Sequence, residues 1–129
     1  MTYLLRMNGS RFKLLLIKYM IYQGEIHFAD LSPIQGHEQG GARPVLVIQN
    51  NILNRNLSTV IVLPLTSNLD TRDHLTTFFL NQKTTELPMD SVVLIHQIRT
   101  IDQSRLKRKI SSVSPEVLKS IKQRMALIF

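Results

Sequence analysis

A small, mainly β domain that closes on one C-terminal helix is the fold class this sequence predicts. Three observations predict it. Short apolar, β-branched runs recur between polar turns that carry glycine or proline. A Ser-Pro-Glu triplet near the C-terminus has the chemistry of a helix start. An apolar stripe at helical spacing follows it. With 129 residues, 43% of them hydrophobic, the chain has the length for one domain around one core. Several short strands and one packing helix describe a compact, β-barrel-like domain.

The elements follow in order. Residues 24–31 alternate apolar Ile26 and Phe28 with polar neighbours, the pattern of a half-buried strand. Residues 32–43 hold Pro33, Gly36, Gly40 and Gly41 and predict a mobile loop. Pro44 to Ile48 is an apolar central strand, and Asn50 to Asn56 a polar turn with room for one helical turn. Thr59 to Leu65 is a second buried strand that runs out into Thr66-Ser67-Asn68. Leu75 to Leu80 is a shorter strand, and residues 81–90, with Pro88, a polar connection. Ser91 to Ile98 is a strong strand that Arg99 to Ile101 extend. Ser114 then caps a helix with Pro115 at its first position and Glu116 near the positive end of its dipole. Val117, Leu118, Ile121, Met125 and Ile128 share one face of that helix, which core packing explains most simply.

Residues 1–20 stand apart. Leu14 to Ile17 is apolar, but Lys13 and Lys18 bracket it, so the run is too short for a membrane span and lacks the form of a secretory signal. Two readings stay open: an added strand or helix, or an upstream extension with Met20 as the native start.

Composition narrows the chemistry. Cysteine is absent, which excludes disulfides, thiolate nucleophiles and cysteine–zinc sites and accords with a reducing cytoplasm. Lys and Arg number 16 against 9 Asp and Glu, a net charge of +7 that attracts polyanions such as nucleic acid, or an acidic protein. No phosphate-binding loop, dinucleotide fingerprint or paired-histidine zinc motif appears, and His27, His37, His74 and His96 are scattered. His27, in mid-strand, reads as structural, and His74, in a polar loop, as solvated.

Two segments carry groups suited to chemistry. Gly36 to Pro44 puts an imidazole, a carboxylate and a guanidinium (His37, Glu38, Arg43) on a glycine-softened loop ahead of a buried strand. Pro64 to Asn68 puts the hydroxyls of Thr66 and Ser67 at a strand exit. Loops held by rigid strands often bear reactive groups. The plainer alternative is that Glu38 pairs with Arg43 and the hydroxyls close a turn.

A resemblance weights these readings. GEIHFADLSPIQGHEQGGARPVLVIQNNILNR is similar to the opening of the MazF/PemK (Kid) toxins, with their Gly-acid-Ile, Asp-Leu-x-Pro and Glu-Gln-x-Gly-x-Arg-Pro signatures. VIVLPLTSN resembles the family strand that ends in Pro-x-Thr-Ser, SVVLIHQIRTIDQSRL its third block, and SPEVLKSIKQRM its closing helix. The match runs in order over about residues 24–128, so the domain division it implies is 1–20 as an extension and 21–129 as the toxin-like domain. His37 before Glu38 resembles the PemK/Kid branch.

The resemblance implies an SH3-like small barrel of the MazF/PemK/CcdB type, a homodimer, and a cytoplasmic, sequence-selective endoribonuclease that needs neither metal nor cofactor. It implies a cognate antitoxin with an acidic, flexible tail, promoter DNA reached through the toxin–antitoxin complex, and no membrane. In such a reaction the substrate 2′-hydroxyl attacks phosphorus, a base takes its proton, a cation stabilises the phosphorane oxygens, and an acid protonates the leaving 5′-oxygen. Arg43 is the expected cation, Thr66 the hydroxyl that orients the phosphoryl group, and Glu38 the base or the group that orients Arg43. His37, Ser67 and Gln97 are expected substrate contacts. One departure matters: the family acid before Gln-x-Arg is His96 here, and the basic residue two positions earlier is Leu94. Histidine exchanges protons near neutral pH, so His96 is expected to serve in the acid's place. The alternative is a catalytically impaired module that binds nucleic acid or antitoxin on the same fold.

Overall fold

In the computed structural model, which describes residues 20–32, 36 and 41–129, the alternation at 24–31 folds as strand β1 (Glu25–Asp30). Gly41, at φ 70°, adopts a left-handed backbone that side chains disfavour, and from it the chain enters β2 (Ala42–Val47). The polar stretch after β2 forms a short helix, α1 (Asn51–Asn56), because the Asn50 side chain accepts from the Leu53 N–H. Then come β3 (Thr59–Thr66), β4 (Thr77–Leu80), a second short helix α2 (Gln82–Thr85), β5 (Ser91–Leu94), β6 (Arg99–Asp102) and β7 (Leu106–Ser112). The chain closes with α3 (Pro115–Ile128), where Ser114 Oγ accepts from the Val117 N–H, as the Ser-Pro-Glu start predicts.

All strand pairs are antiparallel, in the order β4-β5-β3-β2-β1-β7, with β6 also on β3. Among the described residues β4 and β7 are the ends of this order, so the sheet is barrel-like but open. Its central strands bury both faces. Ile26, Leu46, Leu63, Leu65 and Val93 face one cluster, against which Val117, Leu118, Met125 and Ile128 of α3 pack around buried Ile121. Ala29, Val45, Val47, Val60, Val62 and Ile101 face the other. Burial on two sides explains why β2 and β3 read as nearly continuous apolar runs.

Three differences from the sequence reading have physical causes. The expected strand 91–101 is broken: β5 pairs with the end of β3 and β6 with its beginning, and the register slips between them. The three-residue 3-10 turn Ile95–Gln97 takes up the slip, closed by Ile98 N–H to Ile95 O. β7 went unassigned because LKRKISS lacks clean alternation, and its pairing with β1 is irregular in register at two places. Helix α2 lies inside the expected connection 81–90, capped by Asn81, with Glu86 at φ 59° ending it.

Buried amides hold α1 to the sheet. Gln49 Nε2 donates to Asn54 Oδ1 and to Thr59 O, both at 3.0 Å, and Asn54 Nδ2 donates to Gln49 O at 2.9 Å. Gln103 Nε2 donates to the carbonyl oxygens of Leu57 and Asn54.

Candidate functional site

The site builds outward from the shared ends of β2 and β3. Val45 pairs with Pro64 across these strands. Beyond this pair β2 begins at Ala42 and Arg43, and β3 runs on to Leu65 and Thr66. The half-buried Arg43 guanidinium reaches across, its Nη1 3.5 Å from the carbonyl oxygen of Leu65. Burial pulls its pKa below the ordinary arginine value, yet a guanidinium stays charged at neutral pH. A positive charge is thus held partly out of water next to a hydroxyl-bearing strand exit, where it acts more strongly than it does in bulk solvent.

Thr66 ends β3, and its Oγ1 accepts from the Asn68 N–H at 3.1 Å. Asn68 in turn caps the 3-10 turn Leu69–Thr71. The hydroxyls of Thr66 and Ser67 are therefore held on a loop that caps itself, and Ser67 is exposed. The plainer reading, that Thr66 closes a turn, describes one of its bonds and leaves the hydroxyl proton available to donate.

Thr66 and Ser67 also rim a cleft of about 190 Å³. Phe28, Pro44 and Leu65 form one side of it, brought together because Phe28 pairs with Pro44 on the next strand. Leu87, Pro88 and Met89, from the connection before β5, form the other. The Arg108 guanidinium of β7 lies over the Phe28 ring, 4.6 Å from its centroid. Sequence reading passed over Phe28, Met89 and Arg108 as site residues. The basic run 107–109 was the available signal for Arg108, but nothing in its spacing says which cation faces the site.

The third block divides. His96 is exposed on the Ile95–Gln97 turn, while Ile95 beside it is fully buried. The turn lies along the loop before β4, because Ile95 N–H donates to Thr76 O at 2.9 Å. In that loop the Asp73 carboxylate accepts from the Thr76 hydroxyl and from the N–H groups of Thr76 and Leu75. Those bonds, with a smaller contribution from the charge of His96, hold its pKa down at about 2. An ionised carboxylate therefore stands in the neighbourhood of His96. Gln97 is half-buried on the same turn. His37 and Glu38 lie outside the described residues.

The other described histidines lie away from Arg43 and Thr66 in sequence and on other elements. His27 is buried on β1, its Nε2 3.1 Å from a Glu25 carboxylate oxygen, and Lys109 Nζ is 3.2 Å from the other oxygen. Burial opposes ionisation of Glu25, but bonds from the Tyr22 N–H, His27 and Lys109 outweigh it and lower its pKa. His74 is exposed in its loop. Among the described residues no group of three His, Asp or Glu side chains is placed to hold a metal, and no helix is long and apolar enough to cross a membrane.

Comparison with known proteins agrees with this architecture. Residues 22–129 match the model of the PemK-like, MazF-like toxins of type II toxin–antitoxin systems. The crystal structure of MazF from Deinococcus radiodurans superposes with a TM-score of 0.72 at 25% identity, covering 85% of this chain and 96% of that one. The Mycobacterium tuberculosis toxin MazF-mt6 superposes with a TM-score of 0.66 at 24% identity, over 79% of this chain and 92% of its own. An endoribonuclease in complex with its cognate antitoxin, from a mycobacterial species, gives 0.63 at 22% identity, over 83% and 90%. With the sequence blocks in order and the open antiparallel sheet closed by one helix, the chain belongs to the PemK-like, MazF-like toxin family of type II toxin–antitoxin systems.

Proposed function

We propose that this protein is an endoribonuclease toxin that cleaves RNA at preferred sequences, without a metal ion, by attack of the substrate's own 2′-hydroxyl on the adjacent phosphorus. The observation that carries the reading is the half-buried Arg43 guanidinium, with Nη1 3.5 Å from the carbonyl oxygen of Leu65, the residue before Thr66. A planar cation fits two phosphate oxygens at once. Thr66 orients the phosphoryl group through its hydroxyl. Glu38 serves as the base or steers Arg43. His96 carries a proton in place of the family acid, and His37, Ser67 and Gln97 contact the substrate. The products are a cyclic phosphate and a 5′-hydroxyl.

The same reading has the protein working as a cytoplasmic homodimer, silenced by an antitoxin whose acidic tail covers the basic RNA surface, with promoter DNA bound through that complex. The net charge of +7 supports both polyanionic partners. Residues 1–20 are assigned as an extension ahead of the toxin domain, 21–129; the family match begins at residue 22. The test is purified protein on single-stranded RNA in excess EDTA, with the ends of the products mapped. Cleavage with cyclic-phosphate ends, lost in Arg43→Ala, supports the reading, and intact RNA across varied sequences overturns it.

A second reading, an impaired module that binds RNA or antitoxin without turnover, is favoured by the departures at His96 and Leu94. Salt-sensitive binding with no cleavage products selects it.

A further inference from the structure

We infer that the cavity lined by His27 and Lys107 is a second ligand site, which takes a small organic phosphate with a flat, N–H-bearing ring, the size and chemistry of a mononucleotide. The cavity, about 630 Å³, lies among residues 20–22, β1, β7 and the 3-10 turn Gln103–Arg105. That volume falls within the roughly 300–1,000 Å³ of pockets that enclose small organic molecules. In the regular pairing of β1 with β2, His27 stands opposite Val45 and Phe28 opposite Pro44. Successive side chains alternate across a sheet, so His27 faces one side and Phe28 the other. The cavity that His27 lines is therefore on the opposite face from the cleft that Phe28 lines with Thr66. The inference does not depend on the proposed RNA chemistry.

The polar wall is built and incomplete. His27 is 7% exposed, and its Nε2 is 3.1 Å from one oxygen of Glu25. The Tyr22 N–H donates to that same oxygen at 2.9 Å, and Lys109 Nζ is 3.2 Å from the other. These bonds favour the ionised carboxylate. A carboxylate only accepts, so Nε2 carries a proton, and in the neutral ring Nδ1 is left as an acceptor. Among the described residues, that Nδ1 is the one buried side-chain polar atom with no hydrogen-bond partner. A buried polar atom left unpaired marks a place where a further partner fits. The backbone points to the same spot. The register of β1 against β7 shifts on both sides of His27, and such bulges re-aim side chains and gather beside functional sites.

Chemistry chooses the occupant. Lys107 and Lys109 line the cavity beside the Ser104 hydroxyl. An ammonium binds phosphate as a point charge, and its three donors let Lys109 keep Glu25 and still reach a ligand. Glu25 is the one carboxylate of the lining, and Asp30, which feels the charge of Lys107, is exposed to screening solvent. Met20, Ile21 and Leu106 add apolar surface for the face of a ring. A mononucleotide supplies all three complements: a phosphate for the lysines, a flat ring for the apolar wall, and base N–H groups for Nδ1. Inorganic phosphate supplies the first alone. The chain's own residues before Met20 carry Arg6, Arg11, Lys13 and Lys18 and no acid, so they bring the wrong charge.

The test titrates the full chain by calorimetry with adenosine and guanosine 5′-monophosphate, the two free nucleosides, and inorganic phosphate. A monophosphate should bind at least about 10-fold more tightly than its nucleoside and than inorganic phosphate, the scale of one charge-assisted contact. Lys107→Glu reverses a charge of the wall, and Ser104→Trp fills the cavity, both at exposed positions that spare the core. Each should weaken the monophosphate at least about 10-fold, with melting temperature near that of native protein. Arg43→Ala should leave the affinity unchanged. In native protein the nitrogen resonance of His27 Nδ1 should shift as the site saturates. No binding of either monophosphate overturns the site, as does a monophosphate held no more tightly than inorganic phosphate. Affinity unchanged in Lys107→Glu or in Ser104→Trp overturns it too. Affinity lost in Arg43→Ala moves the nucleotide to the other face of the sheet, and an Nδ1 resonance unmoved at saturation removes His27 from recognition; either result overturns the assignment.

Discussion

Arg43 Nη1 lies 3.5 Å from the carbonyl oxygen of Leu65, the residue before Thr66. At that length the contact is weak, and a guanidinium is a planar fork of donors that matches phosphate oxygens. Arg43→Ala should lower the rate of RNA cleavage at least about 100-fold, the scale of losing a preorganised charge donor. Arg43→Lys should recover little, because an ammonium lacks the planar fork. Thermal melting of both variants should stay near that of native protein, and single-turnover cleavage measures the loss.

Thr66→Val removes the hydroxyl and keeps the β-branched shape. It should cut the cleavage rate about 10- to 100-fold, within the span of single hydrogen-bonding groups in a site. The Asn68 N–H loses its acceptor, which costs about 1 kcal/mol because that turn is exposed and water replaces the partner. Thr66→Ser should restore most of the rate. A rate unchanged in Thr66→Val, measured on the same RNA, removes Thr66 from the chemistry.

If His96 exchanges the proton, His96→Ala should flatten one limb of the pH–rate profile. His96→Asp, which returns the family acid, should move that limb to lower pH. A profile in His96→Ala that parallels the native one assigns the proton step elsewhere.

Acid should weaken the fold partly through Glu25. Its pKa in the folded state is lowered from the ordinary 4.5, so the folded protein favours the ionised form. This contribution is fully present above pH 4.5 and fades as pH falls through the depressed folded value. Glu25→Gln should flatten the dependence of melting temperature on pH in that acid range and leave the dependence near neutrality unchanged. Thermal unfolding at a series of pH values checks it.

Asn54→Leu should destabilise the protein by about 1–3 kcal/mol, since the buried Gln49 amide and carbonyl lose their partner. Ser114→Ala should cost about 1 kcal/mol through loss of the α3 cap. Urea denaturation separates the two. A cost for Asn54→Leu below that of Ser114→Ala contradicts the buried-amide account.

Much of the architecture was legible in one dimension. Strands β1 to β5 and helix α3 announce themselves, because burial demands apolar periodicity and helix ends demand caps, and both constraints are local. The Ser114-Pro115-Glu116 start and the stripe through Ile121 follow from neighbours in sequence alone. Arg43, Thr66 and Ser67 stood out because they lie next to unmistakable strands. The polar residues 50–56 read as a turn with room for helix, yet the Gln49–Asn54–Gln103 amide network that secures them joins distant segments and leaves no periodic trace.

What the chain's order of residues determined is most of the elements and the family, since local propensity, capping and ordered motifs are written along it. What tertiary structure alone decided is proximity. The pairing of β2 with β3 brings Arg43 Nη1 to 3.5 Å from Leu65 O, and the slip between β5 and β6 turns His96 outward while burying Ile95. The irregular β7, weak in pattern, brings Arg108 over Phe28 because pairing with β1 compensates for what its own sequence lacks. Hydrogen-bond ladders between strands set these juxtapositions, and a ladder depends on the partner strand as much as on the strand itself.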